Sequence, residues 1–320
     1  MKLLTHIARI LVGGLFIFSG FVKLVDPIGS QYKFEEYFSE GVLNLEFLIP
    51  YALPFAIVLI VVEVVLGVAI LIGWKPKLTV WSLLITIVFF TFLTWYSAYY
   101  NKVTDCGCFG DAIKLTPWQS FYKDVLLTIL ILFLLFRIKD IKPLFGGKIP
   151  GILTYLSFFA SFYIVYHVLV HLPIVDFRPY AIGKNIPAGM EYKGDGEIPP
   201  IHDFMLEDSQ NDLAEQILKE PKVMLVIMQD FDKTEMSGLT AIKNAALKAK
   251  KKGYKVYGVS ASYYEDLLVA KEKHNLPFDF LFCDATTLKT MIRANPGIMI
   301  LKNGTITDKK NYTDADSVEL

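Results

Sequence analysis

The sequence predicts an α-helical membrane bundle of five helices followed by a soluble α/β domain, and three observations carry that reading. Apolar residues make up 53% of the 320-residue chain and the mean hydropathy is positive, above the roughly 45–50% of ordinary soluble domains. The excess lies before residue 173, in runs long enough to cross a hydrocarbon core that takes about 20 residues of helix. Beyond residue 196 the pattern becomes short apolar runs alternating with amphipathic ones, as strands and helices require.

In order, the spans are expected at residues 6–24, 51–73, 79–100, 121–137 and 150–172. The first reads as a membrane helix rather than a secretion signal, because F-S-G-F-V-K-L-V-D-P offers no small-residue cleavage site and further spans follow. Residues 1–172 form the membrane domain. Residues 173–196, rich in Pro and Gly, read as a linker leaving the membrane. Residues 197–320 form the soluble domain. In it, I-H-D-F-M-L-E-D (201–208), K-V-M-L-V-I-M (222–228), Y-K-V-Y-G-V-S (254–260) and F-D-F-L-F-C-D (278–284) read as strands, with helices expected over 234–252, 264–274 and 287–294. G-I-M-I-L-K-N-G-T-I-T (297–307) reads as a hairpin turning at Asn303-Gly304. Strand–helix alternation closed by a hairpin implies a mixed sheet.

Lys plus Arg equals Asp plus Glu at 32 each. With no net charge and no basic face, a nucleic-acid partner is excluded. The distribution of cations sets an orientation. Lys2, Arg9, Lys75, Lys77, Arg137, Lys139, Lys142 and Lys148 fall on one side of the expected spans, and Lys23, Lys33, Lys102 and Lys114 on the other. Cytoplasmic loops carry the excess of Lys and Arg. The expectation is therefore a bacterial inner-membrane protein with a cytoplasmic N-terminus and a periplasmic C-terminal domain, in contact with membrane lipid. The loop T-D-C-G-C-F-G-D-A (104–112) would then face the compartment where thiols are oxidised.

Cys106 and Cys108 flank Gly107, which tolerates the positive φ that a sharp bend needs. A disulfide across so small a ring would be strained, and strained disulfides are the labile ones. A redox-active pair, a static staple, and free thiols or metal ligands all remain open; a zinc site normally wants four ligands, and no metal is expected here. Glu63 interrupts V-V-E-V-V in the second span, where an ionisable residue marks either function or a polar packing contact. Lys23 and Asp26 end the first span, where a lysine that snorkels to the interface is expected. His167 and His171 stand at i, i+4 in the fifth span, a spacing that suits a metal, haem or quinone oxygen, with no third ligand in sight. Cys283 closes an apolar strand and reads as a buried, inert thiol.

The membrane half resembles the DoxX/MauE family of four-helix membrane proteins, with a fifth helix added. G-G-L-F-I-F-S-G-F-V-K-L-V-D-P, E-V-V-L-G-V-A-I-L-I-G and above all C-G-C-F-G-D carry the likeness. The soluble half resembles thioredoxin-like domains of the TlpA/peroxiredoxin kind, in D-F-M-L-E-D, E-M-S-G-L and A-N-P-G-I-M-I-L-K-N-G-T-I. That resemblance places Pro296 where the fold carries its cis-proline, with Asn295, Pro296 and Gly297 beside an extended client segment. It also implies a Cys-x-x-Cys pair near Gln229 and Asp232, and none is there: no cysteine lies between Cys108 and Cys283. The MauE likeness implies a part in disulfide formation for periplasmic proteins. Together these suggest a membrane protein that supports thiol–disulfide exchange or electron transfer for a periplasmic client, in effect a thiol-disulfide oxidoreductase, with a quinone as candidate electron acceptor. The alternative is a non-catalytic assembly scaffold whose soluble domain docks a partner and whose Cys-Gly-Cys is structural.

Overall fold

A computed structural model describes residues 2–103, 107–194, 196, 198–202 and 204–320. The chain separates into two compact units, Met1–Leu169 and Val170–Leu320.

The first unit is helical. Helices α1 (Lys2–Val25), α3 (Ala52–Ile72), α4 (Pro76–Tyr100), α5 (Pro117–Phe136) and α6 (Ile149–Val170) are joined by α2 (Pro27–Phe38) and a 3-10 turn, Glu46–Tyr51, that runs into α3. Five of these segments are long and apolar enough to cross a membrane. Their outer faces expose Ile85 at 69% and Phe136 at 85%, side chains that lipid solvates and water does not. Helix α2 is absent from the sequence reading, because its twelve residues are too mixed in polarity to announce a span. It starts where the Asp26 carboxylate accepts from the Gly29 amide at 3.0 Å with Pro27 behind it, a side-chain cap on an orphan N–H. Its Phe34, Tyr37 and Phe38 are buried against Leu24, Ala56 and Ile60.

Helices α1 and α3 meet through glycine. A Cβ on Gly67 would fall 2.9 Å from the Gly13 carbonyl oxygen, and one on Gly20 would fall 3.2 Å from the Glu63 Cβ, so the close approach depends on their absence. Arg9 locks the far end of this pair. Its guanidinium donates to the carbonyls of Ile70 at 2.6 Å, Leu71 at 2.6 Å and Lys142 at 2.9 Å, filling orphan C-terminal acceptors of α3 with a cation. Helix α5 opens on a capping box: the Gln119 amide donates to Thr116 Oγ1, the Thr116 amide donates to Gln119 Oε1, and Pro117 stands at the first turn.

The second unit is built on a five-stranded sheet. Strands β1 (Val223–Ile227), β2 (Lys255–Ser260), β3 (Asp279–Phe282), β4 (Gly297–Lys302) and β5 (Thr305–Asn311) lie in the order β3-β2-β1-β4-β5. The first three are mutually parallel, and β4 runs antiparallel to both β1 and β5. Helices α7 (Ile186–Met190), α8 (Ala214–Leu218), α9 (Leu239–Lys251), α10 (Tyr264–His274) and α11 (Ala285–Met291) surround it. Strand β1 is buried along its whole length, and its alternation feeds two cores. Val223, Leu225 and Ile227 join one with Leu206, Leu281 and Leu288; Met224 and Val226 join the other with Ile242 and Ala246 of α9. A central strand covered on both faces reads as a continuous apolar run for this reason. Asn303 and Gly304 take positive φ values of 49° and 72° at the hairpin turn, as an Asn-Gly pair permits.

Two sequence expectations change. Among the described residues, the 201–208 stretch forms no ladder: Phe204 and Leu206 are buried, and the bridges are those of Glu207 to Phe282 and Asp212. Alternation identified its buried face without securing a partner strand. The 173–196 stretch is not a free tether, for much of it folds onto the sheet. Ile186 donates its amide to the Gly304 carbonyl at 2.9 Å, Ile306 donates to Lys184 at 2.9 Å, and Tyr180 and Ile186 enter the core. Pro and Gly here shape a packed segment. Asp176 anchors it, accepting from Arg178 Nε at 2.7 Å, Arg178 Nη2 at 2.8 Å and Lys309 Nζ at 2.8 Å. Burial alone would raise the Asp176 carboxyl, but Lys309 and Arg178 outweigh it and hold it at about 2.

Candidate functional site

Glu63 sits on the face of α3 turned toward α1, 2% exposed. Its Oε1 accepts from Lys23 Nζ at 2.6 Å. This corrects the expectation for Lys23: its ammonium does not snorkel to an interface but is buried, because a carboxylate 40 residues away supplies a partner inside the bundle. The same ammonium donates to Ser19 Oγ at 3.1 Å and lies 4.7 Å from the centre of the Phe90 ring. Ser19 Oγ in turn donates to the Cys108 carbonyl at 2.9 Å. A continuous run of polar contacts thus joins the mid-span carboxylate to the backbone of the Cys-Gly-Cys loop.

Cys108 is buried at 7%. Its partner in the sequence reading, Cys106, lies outside the described residues. Gly107 has φ 65°, and a Cβ there would stand 3.0 Å from Lys33 Cγ, so the bend expected at this position requires glycine. Cys108, Glu63 and Lys23 line one cavity.

A second charged group lines that cavity and was missed from the sequence. Asp124, 1% exposed, accepts from Lys123 Nζ at 2.7 Å and from Thr94 Oγ1 at 3.0 Å. Lys123 lies 4.9 Å from the centre of the Phe109 ring, next to Cys108. The signal was available: Lys123-Asp124 is an ionisable pair inside the fourth expected span, the feature that singled out Glu63. The remaining walls include Phe16, Phe34, Phe90 and Leu127. The site is a polar floor with aromatic sides, reached by a cysteine loop.

The other sequence candidates stand apart from it. His167 belongs to α6, its ring stacked at 6.4 Å on Tyr163; His171 falls in the second unit, where Nδ1 pairs with Asp314 Oδ2 at 2.8 Å. That nitrogen is committed within the fold. Among the described residues no group of three or more His, Cys, Asp and Glu could hold a metal ion. The Asn295–Pro296 peptide is cis. Pro296 and Gly297 are nevertheless buried, and Asn295 is taken up by its own chain: its carbonyl accepts from the Glu235 amide at 3.0 Å, its Oδ1 from Thr234 Oγ1 at 3.1 Å, and its Nδ2 donates to the Asp230 carbonyl at 3.1 Å. At the client contact expected from Asn295 to Gly297, the Asn295 carbonyl and side chain are thus bonded within the chain. At the position expected for the first cysteine of a dithiol, Gln229 Nε2 donates to the Ile292 carbonyl at 2.7 Å. Cys283 is 1% exposed, and burial, helped by Asp284, pushes its thiol up to about 12.

Residues 1–137 match the family model described as Methylamine utilisation protein MauE. The chain is also similar to Protein TlpB of Flavobacterium psychrophilum, 24% identical over 241 residues that make up 72% of this chain. It spans 57% of the length of that relative. No solved structure matches. The MauE match covers α1 to α5, including every residue of the cavity, and the mixed sheet of the second unit is consistent with a thioredoxin-like domain.

Proposed function

We propose that this membrane protein supports thiol–disulfide exchange or electron transfer for proteins on the periplasmic side of a bacterial inner membrane, with Cys106 and Cys108 as the cycling pair. The observation that carries the reading is that Cys108 and Glu63 line one cavity and are joined through Lys23 and Ser19. A cysteine loop alone is compatible with a static staple. A loop whose Cys108 lines one cavity with buried ion pairs has acid–base groups beside it. The MauE match and the likeness to Protein TlpB support a membrane redox role.

In the step proposed, client thiols reduce the Cys106–Cys108 disulfide by exchange, so that the client gains an S–S bond and the loop becomes a dithiol. Reoxidation of the loop releases two electrons and two protons. A quinone is the class of membrane acceptor that takes up both. The orientation rests on the Lys and Arg distribution, with the N-terminus cytoplasmic and the second unit periplasmic, where it would dock the client. Since that unit has no dithiol and its Cys283 is buried, it contributes contact rather than exchange.

That absence also favours the second reading, a scaffold whose loop is structural. Trapping separates the two. Single Cys106→Ser and Cys108→Ser variants of an exchanging loop should accumulate a mixed disulfide with a periplasmic protein; a scaffold traps nothing in either variant.

A further inference from the structure

Just past the end of α6 the chain is turned inside out. Ile174, Val175 and Phe177 lie on the outside, 59%, 38% and 40% exposed. The charged residues that alternate with them face inward: Arg178 is 2% exposed, and Asp176 accepts from Arg178 and from Lys309 of β5. A segment washed by water has the reverse pattern, because buried ions lose hydration and apolar side chains gain by leaving water. A single exposed apolar residue is ordinary on a soluble domain. Three within four residues, on a backbone whose charges are spent on inward ion pairs, describe a face with an apolar medium outside it.

The chain's own course says which medium is near. The 22 residues of α6 rise about 33 Å, enough to cross a hydrocarbon core of about 30 Å, so Val170 ends close to the bilayer surface. Ile174 follows four residues later, a reach of at most about 14 Å. The segment does not swing freely there. Thr313 Oγ1 donates to the Val170 carbonyl, Asn311 Nδ2 donates to the His171 carbonyl at 2.9 Å, and His171 Nδ1 pairs with Asp314 Oδ2 at 2.8 Å. These bonds meet the terminal acceptors of α6 with side chains from β5 and the turn after it. Lys309 of the same strand holds Asp176. The end of the span, the inverted segment and the edge strand are therefore one piece, and the apolar phase within its reach is the bilayer.

We propose that Ile174, Val175 and Phe177 form a bilayer contact, entering the boundary between head groups and acyl chains as the apolar face of an interfacial segment does. The contact holds the second unit on the membrane surface, and Asp176, Arg178 and Lys309 keep its apolar side turned to the lipid. It does not depend on the thiol chemistry proposed above: either can fail while the other stands.

The test uses the full chain in nanodiscs of phosphatidylcholine and phosphatidylglycerol, with Cys106→Ser, Cys108→Ser and Cys283→Ala removing the native thiols. A nitroxide is attached through Val175→Cys, through Phe177→Cys or, as a water-facing reference, through Glu215→Cys, whose side chain is 85% exposed. All three positions are exposed, so the label replaces no core contact. Power saturation reads collisions with oxygen, which concentrates in the bilayer, and with a neutral nickel chelate, which stays in water. At 175 and 177 the ratio of oxygen to nickel collisions should exceed that at 215 several-fold. A ratio like the reference at either position would place the segment in water and overturn the proposal. Suppressed collisions with both reagents would mean that protein covers the segment, from this chain or a second copy, and would overturn it equally.

Discussion

Lys23 Nζ lies 2.6 Å from Glu63 Oε1, with the two side chains 10% and 2% exposed. Such a pair is a weak source of net stability, because desolvation offsets most of the attraction, yet breaking it by removing one partner strands a buried charge. Glu63→Leu alone should therefore destabilise the first unit by about 3–5 kcal/mol, whereas Lys23→Met together with Glu63→Leu should recover most of that loss. Thermal unfolding in detergent, followed through the tryptophans, all of which lie in the first unit, checks both. Equal losses in the single and double variants would mean that the two groups do not act as a pair.

Asp176 makes a second, independent prediction. Its carboxyl is held at about 2 against an ordinary 3.8, so the unfolded chain binds more protons than the folded one between those values. Stability from this group is then present above about pH 4 and lost as pH falls through 2, a contribution of about 2 kcal/mol. Pulse proteolysis of the second unit in urea at pH 5 and pH 2.5 should show a larger fall in midpoint for the parent than for Asp176→Asn. Asp176→Asn should also be the less stable of the two at pH 5, since it leaves Arg178 and Lys309 buried without a carboxylate. A pH dependence identical in both proteins would remove Asp176 from the account.

Cys283 should be silent. With its thiol pushed up to about 12, almost none is thiolate at pH 8, and only the thiolate reacts. Mass spectrometry after a maleimide pulse should find Cys283 unmodified in the folded protein and modified after denaturation, and Cys283→Ala should leave mixed-disulfide trapping unchanged. Rapid labelling in the fold would show the strand to be open.

Orientation is checked from outside the cell membrane. A maleimide that does not cross bilayers should label Cys106 or Cys108 in reduced, intact spheroplasts. Labelling only after permeabilisation would place the loop in a reducing compartment and remove the chemistry proposed for it.

The parts of this fold that the sequence announces are those written in period and length. Five apolar runs become five long helices, and V-M-L-V-I becomes a central strand because both its faces are covered. Gly107 and Asn303-Gly304 were legible because positive φ restricts residue choice. Pairing was not legible. Nothing local to Lys23 distinguishes a snorkelling lysine from one that reaches Glu63, since the difference depends on how closely Gly13 and Gly67 bring α1 and α3 together. The engagement of Asn295 was equally hidden, because it depends on bonds from Glu235 and Thr234, far earlier in the chain. Of the cavity's polar lining, Glu63 and Cys108 were named from sequence as site residues; the pairing of Lys23 with Glu63 and the place of Thr94 needed the packing, and Lys123-Asp124 was legible but passed over.

The most direct test asks whether the cysteine loop and the buried charges form one site. After a pulse of reductant on membranes, the thiol state of Cys106 and Cys108 is followed by alkylation mass shift in the parent and in Lys23→Met with Glu63→Leu, a protein whose charges are removed as a pair and whose folding is checked by the thermal unfolding described above. The account predicts that reoxidation of the loop is slower in the substituted protein by about tenfold or more, given what positioned acid–base groups contribute. Equal rates in the two proteins would contradict it, leaving the cavity as packing and the loop chemistry, if any, to the surface alone.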